Sequence, residues 1–126
     1  MANTTDYRKP VTAPKRRIGG SITAENKFTT DVNGTVGGST GTVGMRIFGD
    51  FALVISGTWT GTVHIQRSSD SGVTWVDLTT AVVPTTITFT TNGVFAGYEP
   101  AKDVLYRVGV RTGNFGSGTI VVELQT

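Results

Sequence analysis

Residues 62–75 read Thr-Val-His-Ile-Gln-Arg-Ser-Ser-Asp-Ser-Gly-Val-Thr-Trp, and their pattern decides the class of fold. Val63, Ile65 and Arg67 alternate with His64 and Gln66, a period of two that marks a half-buried strand. Asp70 and Gly72 then stop the strand. Short polar side chains bond their own backbone, and glycine takes positive φ without steric cost. The chain turns and runs back through Trp75, which makes a hairpin.

The same grammar repeats on both sides. Upstream come weak strand candidates at Ser21–Ala24 and Lys27–Val32, an Asn33-Gly34 turn, and a glycine-rich run at 34–44. Met45–Phe48 and Phe51–Ser56 follow, separated by Gly49-Asp50, and the glycine-flanked turn 57–61 is expected to carry Trp59 at its tip. Downstream lie Val73–Thr79, Thr85–Thr91, a short Val94–Tyr98 stopping before Glu99-Pro100, then Val104–Arg111 and Gly118–Gln125. About eight strands spaced by about 8–12 residues predict an antiparallel β-sandwich, Ig-like or jelly-roll. The predicted core is Phe51, Leu53, Ile55, Val63, Ile65, Trp75, Ile87, Phe89, Leu105, Val108, Val110, Ile120 and Val122.

The hairpin 68–75 resembles the Asp-box of sialidases and other β-propellers. A propeller needs about four blades of about 40 residues or more each, which 126 residues do not supply. The resemblance therefore implies structural roles alone. Asp70 bonds amides of its own turn, Gly72 takes positive φ and Trp75 packs beneath the hairpin, with no catalytic residue implied.

Composition supports an all-β chain of one domain. There are 17 glycines, only 16% of residues are charged, and no window shows a helical apolar period. Cysteine is absent, which excludes disulfides, thiol nucleophiles and thiolate metal sites. The longest apolar run, Phe51–Ile55, is too short to span a bilayer, and the polar start MANTTDYRKP lacks the core of a secretory signal. Synthesis and assembly in a reducing cytoplasm, away from membranes, is the expectation.

Charge divides the chain unevenly. Residues 1–17 hold Arg8, Lys9, Lys15, Arg16 and Arg17 against Asp6, a net +4, whereas the remainder is −2. Residues 1–20 also carry Pro10 and Pro14, few large apolar groups and no periodicity. They are expected to form an extended arm that gains a fixed shape only on a neighbouring subunit, with residues 21–126 as the folded domain. The five cations fit an acidic protein surface better than nucleic acid, because the body is itself slightly acidic and shows no stripe of basic and aromatic residues.

Chemistry-bearing constellations are sparse. His64, the single histidine, lacks a Ser–Asp partnership and further ligands, so it is expected to be solvent-facing or lightly buried, with no metal or cofactor. Asp70, Asp77, Glu99 and Asp103 sit at turns and strand ends, where solvated acids are ordinary, and an enzyme is not expected. The run at 34–44 lacks the Gly-Lys-Ser/Thr ending of a phosphate loop. Trp59 stands out as an interface anchor or a sugar-stacking platform, with burial under a neighbouring loop an equal alternative.

The stretches GTWTGTVHIQRSSDSGVTW, GYEPAKDVLYRVGV and SGTIVVELQT resemble small β-sandwich virion proteins of tailed bacteriophages over about 60% of the chain. The resemblance implies a structural protein of the virion, with no catalysis. Together with the basic arm it implies a capsid decoration, or cement, protein on the capsid surface. The arm would bind the major capsid protein, and copies would assemble as a homotrimer. A head–tail connector or tail component is the alternative within that class. A carbohydrate-binding module aiding host attachment is the alternative outside it.

Overall fold

The computed structural model describes residues 17–25, 27–29, 44–80 and 83–126. Arg8, Lys9, Lys15 and Arg16, the Asn33-Gly34 turn and nearly all of the glycine-rich run lie outside the described residues. Among the described residues there are eight strands: β1 (Arg17–Ile22), β2 (Lys27–Thr29), β3 (Met45–Gly61), β4 (Val63–Ser68), β5 (Val76–Asp77), β6 (Thr88–Phe89), β7 (Gly93–Val110) and β8 (Phe115–Gln125). They form one antiparallel sheet in the order β1-β8-β3-β7-β4-β5, with β2 added to β7 and β6 to β4. The all-β antiparallel class is as the sequence indicates, and the strands belong to a single continuous sheet.

Two strands are longer than expected. Met45–Phe48 and Phe51–Ser56 join through Gly49 and continue to Gly61, while Val94–Tyr98 runs on through Glu99-Pro100 to Val110. A bulge reconciles this length with the turn residues inside it. Ile47 pairs with Val104 but Gly49 pairs with Glu99, so Phe48 alone stands opposite Pro100–Asp103. Gly49 has φ 89° and Asp103 φ 61°, the left-handed backbone that such an insertion requires. Pro100 sits in the bulge, where its missing N–H costs no ladder bond.

Four residues against one bend the sheet sharply. Were it flat, Phe51 and Tyr106 would lie about 20 Å apart, because Tyr106 pairs with Met45, six residues from Phe51. Their ring centroids are 4.8 Å apart. Phe89 of β6 likewise meets Phe95 of β7 edge-on at 5.5 Å. The sheet thus turns over on one core, built from Ile22 of β1, Met45, Ile47, Phe51, Leu53 and Ile55 of β3, Val63 and Ile65 of β4, Val104, Tyr106, Val108 and Val110 of β7, and Ile120, Val122 and Leu124 of β8.

The bulge also corrects the core read from sequence. Inward positions of β7 are odd up to Glu99 and even from Val104 onward, so Val104 and Tyr106 are buried and Leu105 faces the other side. Trp75, Ile87 and Phe89 are half-buried rather than central. The expected strand at Val73–Thr79 shrinks to Val76–Asp77 with a bridge from Thr79 to Thr86. Arg17 to Gly20, assigned to the arm from sequence, pair with β8 and belong to the sheet.

A buried carboxylate ties the bend. Glu99, 1% exposed, accepts two bonds from Arg67 of β4 (Nε 2.9 Å, Nη2 2.8 Å), one from the Tyr106 hydroxyl (2.7 Å) and one from the Ala101 amide (2.9 Å). Burial alone would push the Glu99 carboxyl up, but these donors outweigh it and hold it below the usual carboxylate range. Burial and the adjacent Glu99 push the Tyr106 hydroxyl well above its ordinary value. Tyr106→Phe should cost about 1.5–3 kcal/mol, because it strips a donor from a buried charge. Urea denaturation measures the loss, and an unchanged midpoint would show that Tyr106 does not support the bend.

Candidate functional site

The sequence-singled hairpin is built as its residues dictate. Ser68 Oγ receives the Gly72 amide at 2.8 Å and donates to Asp70 at 2.7 Å, while Asp70 accepts the Thr74 amide at 2.9 Å and the Thr74 hydroxyl. The Thr74 hydroxyl and amide, with Ser68, hold the Asp70 carboxyl down to about 2. Gly72 has φ 88° and Ser71 φ 63°. All of these bonds stay inside the turn. Trp75 stacks on the Arg107 guanidinium at 4.3 Å, whose other side lies over Phe28 at 4.5 Å, so the hairpin is clamped to β2 through one cation.

The face of β4 beneath the segment 69–80 is polar and closed. Gln66 donates to Asp77 at 3.0 Å and accepts from Arg107 at 2.8 Å, and Arg111 donates to the second Asp77 oxygen. His64 lies here, 7% exposed, buried more deeply than expected. β4 is covered on both faces, so its odd and even residues are buried alike. His64 Nδ1 has no hydrogen-bond partner among the described residues. Burial, then the positive Arg111, lower its pKa, with Asp77 opposing in part.

Trp59 does not sit at a turn tip. It lies within β3 opposite Gly118, half-buried and packed against the core, and its Nε1 donates to Asn92 at 2.7 Å. Asn92 in turn donates to the Gly57 carbonyl at 2.9 Å. The ring borders a shallow depression of about 290 Å³ with Thr58, Thr90 and Thr91. The sequence placed Trp59 at a turn because glycines flank it; both Gly57 and Gly61 have positive φ yet remain in the strand.

A different surface gathers the features of an interface. Beyond the bend, β7, β3, β8 and β1 form a four-strand outer face. Val94, Ala96 and Tyr98 of β7 line up beside Asp50, Ala52 and Val54 of β3, with Phe48 at the end of the row. Phe48, Tyr98 and Val94 are 54%, 64% and 71% exposed. Next to them, β8 presents Val121, Glu123 and Gln125, and β1 presents Gly19 opposite Glu123 and Arg17 opposite Gln125. Gly19 lets β1 approach closely, since a Cβ there would stand 2.5 Å from the Val122 carbonyl oxygen. A depression of about 340 Å³ is bordered by Gly19, Ser21, Val54, Val121 and Glu123. A second one, of about 110 Å³, lies between Asp50, Ala52 and Gln125.

Of the expected partner-binding residues, Arg17 is placed at the margin of this face, and Trp59, on the inward side of β3, is not part of it. The strip itself was not anticipated. Its sequence signal is the unbroken apolar run Phe51–Ile55 and the apolar residues at consecutive positions 94–98, which mark strands covered on both faces. Among the described residues no group of three or more His, Asp or Glu could hold a metal ion, and no helix is long and apolar enough to cross a membrane.

No protein-family model and no curated protein matches the chain. Among solved structures, the crystal structure of FeII HppE is similar at a TM-score of 0.42 and 10% identity, over 94% of this chain and 45% of that one. So slight a likeness carries no argument about fold or activity.

The buried histidine makes a pH prediction. In the fold His64 resists protonation, whereas the unfolded chain takes the proton near 6.5. Stability is therefore fully present above that value and declines as pH falls from 6.5 towards the lower folded pKa. The wild type should lose more stability than His64→Gln between about pH 7.5 and about pH 5, compared by chemical denaturation. Parallel losses in the two proteins would exclude His64 as the cause.

Proposed function

We propose that this protein is a non-catalytic structural component of a bacteriophage virion, a decoration protein that docks on the major capsid protein through its basic arm. The observation that carries the reading is the junction of arm and body. The cationic segment enters the fold at Arg17, on the margin of an open apolar face rather than beside a catalytic cleft. The resemblance of the Gly57–Trp75, Gly97–Val110 and Ser117–Thr126 stretches to small virion proteins supports the same class. Copies would assemble as a trimer on the capsid surface. Ordering each arm residue costs about 1–2 kcal/mol of backbone entropy, so a docked arm needs an extensive partner surface.

Reversing Arg8 and Lys9 to Glu in the full chain tests this. Each exposed ion pair is worth about 0.2–1 kcal/mol, so the change should weaken binding to purified capsid shells by about threefold or more while the circular dichroism stays that of the wild type. Undiminished binding refutes an arm-docked decoration protein. Locating the chain at the neck or tail of intact particles would favour the connector reading instead. The glycan-binding alternative rests on the depression beside Trp59. It gains support only if carbohydrate binding is measured and is lost in Trp59→Ala.

A further inference from the structure

The strip formed by Phe48, Tyr98, Ala96, Ala52, Val94 and Val54 is too apolar and too exposed for an idle surface. It runs about 20 Å along two strands, and no described strand pairs with the other edge of Gly93–Tyr98. Exposed apolar side chains in a continuous row are an aggregation hazard unless something covers them. We propose that the cover is residues 10–16 of a second copy of this chain, so that neighbouring subunits are linked head to tail by their arms.

Three observations select that occupant. The first is length: Pro10–Arg16 in a polyproline II conformation spans about 19 Å, the length of the strip. Its two prolines lack N–H donors, which suits lying over exposed aromatic side chains such as Phe48 and Tyr98 rather than adding a strand to an edge.

The second is charge. Asp50 lies within the strip opposite Tyr98, and Glu123 lies beside Val54. Lys15 and Arg16 follow directly after Pro14 and supply the complementary cations.

The third is connectivity, which selects a second copy over the chain's own arm. Arg17 is held in the row Arg17–Gln125–Ala52–Ala96, two to three strand spacings, about 10–14 Å, from the strip. Arg16 is a single step of about 3.8 Å from Arg17, so the backbone of the chain's own Lys15 and Arg16 cannot lie along the strip, and its own arm could cover the strip only with residues upstream of about 13, without those two cations. The arm of a neighbour meets no such restriction. Handing an arm to the next subunit is a heterologous contact, which closes into a ring, as a cyclic trimer requires. Residues 1–9, with Arg8 and Lys9, are left over to reach another partner.

The absence of cysteine makes the test direct. Full-length Ala13→Cys and full-length Ala96→Cys chains, differently tagged, are mixed under mild oxidation. The expected product is a covalent heterodimer, at least fivefold in excess over either homodimer. Adding Tyr98→Glu to the Ala96→Cys chain should reduce its yield at least fivefold. So should adding Lys15→Glu and Arg16→Glu to the Ala13→Cys chain, and Asp50→Lys with Glu123→Lys on the partner should restore it. No heterodimer above the homodimer background overturns the inference. So does a doubly substituted Ala13→Cys/Ala96→Cys chain that closes only upon itself. Either failure leaves the capsid-binding test unaffected, because that test reads the arm against shells.

Discussion

A carboxylate buried at the bend of the longest strand governs this molecule. Glu99 sits on one side of the bulge, Tyr106 on the other and Arg67 on the neighbouring strand, so their hydrogen bonds span the corner from three directions. A charge removed from water is tolerable only when its oxygens are fully occupied, and Glu99 meets four donors. The exposed Arg46–Asp103 pair at the same corner adds little, because water screens both partners. What the tie maintains is a fold of the sheet back on itself, with Phe51 against Tyr106 as its first consequence. Without the bend, the inner residues of β3 and β7 would line an open sheet with nothing to face.

The bend determines the outer surface as well. Three extra residues on β7, four opposite one, shift its inward positions from odd to even, whereas β3 keeps one phase throughout. Tyr98, Ala96 and Val94 therefore point outward beside Ala52 and Val54 while Phe95 and Gly97 point in. Gly97 has room for no side chain because the Phe51 ring lies over it, and a Cβ there would stand 2.5 Å from that ring. Core packing and the exposed strip are thus two sides of one pairing.

The Asp-box-like hairpin follows a different logic. Its bonds are made between residues at most four positions apart, so its shape is nearly independent of the remaining chain. Its contribution to the whole comes through Trp75 and Arg107, which connect it to Phe28 on β2. A motif met in sugar-processing enzymes serves here as a turn with an aromatic foot, and its chemistry is spent on its own backbone.

Turn chemistry at Asp70 and Gly72, the antiparallel all-β class and the uneven charge of residues 1–17 against the rest were legible from the amino-acid order alone. Each depends on neighbours within a few positions. Trp59, His64 and Leu105 were not legible: flanking glycines imitated a turn around the first, a cover on the polar face of β4 buried the second, and the phase change at the bulge turned the third away from the core. Only tertiary pairing of β3 with β7 decided where the strand phase shifts, which carboxylate would be buried and which apolar residues would remain outside. Those outcomes depend on registers between segments far apart in the chain, and local propensity carries no information about such registers.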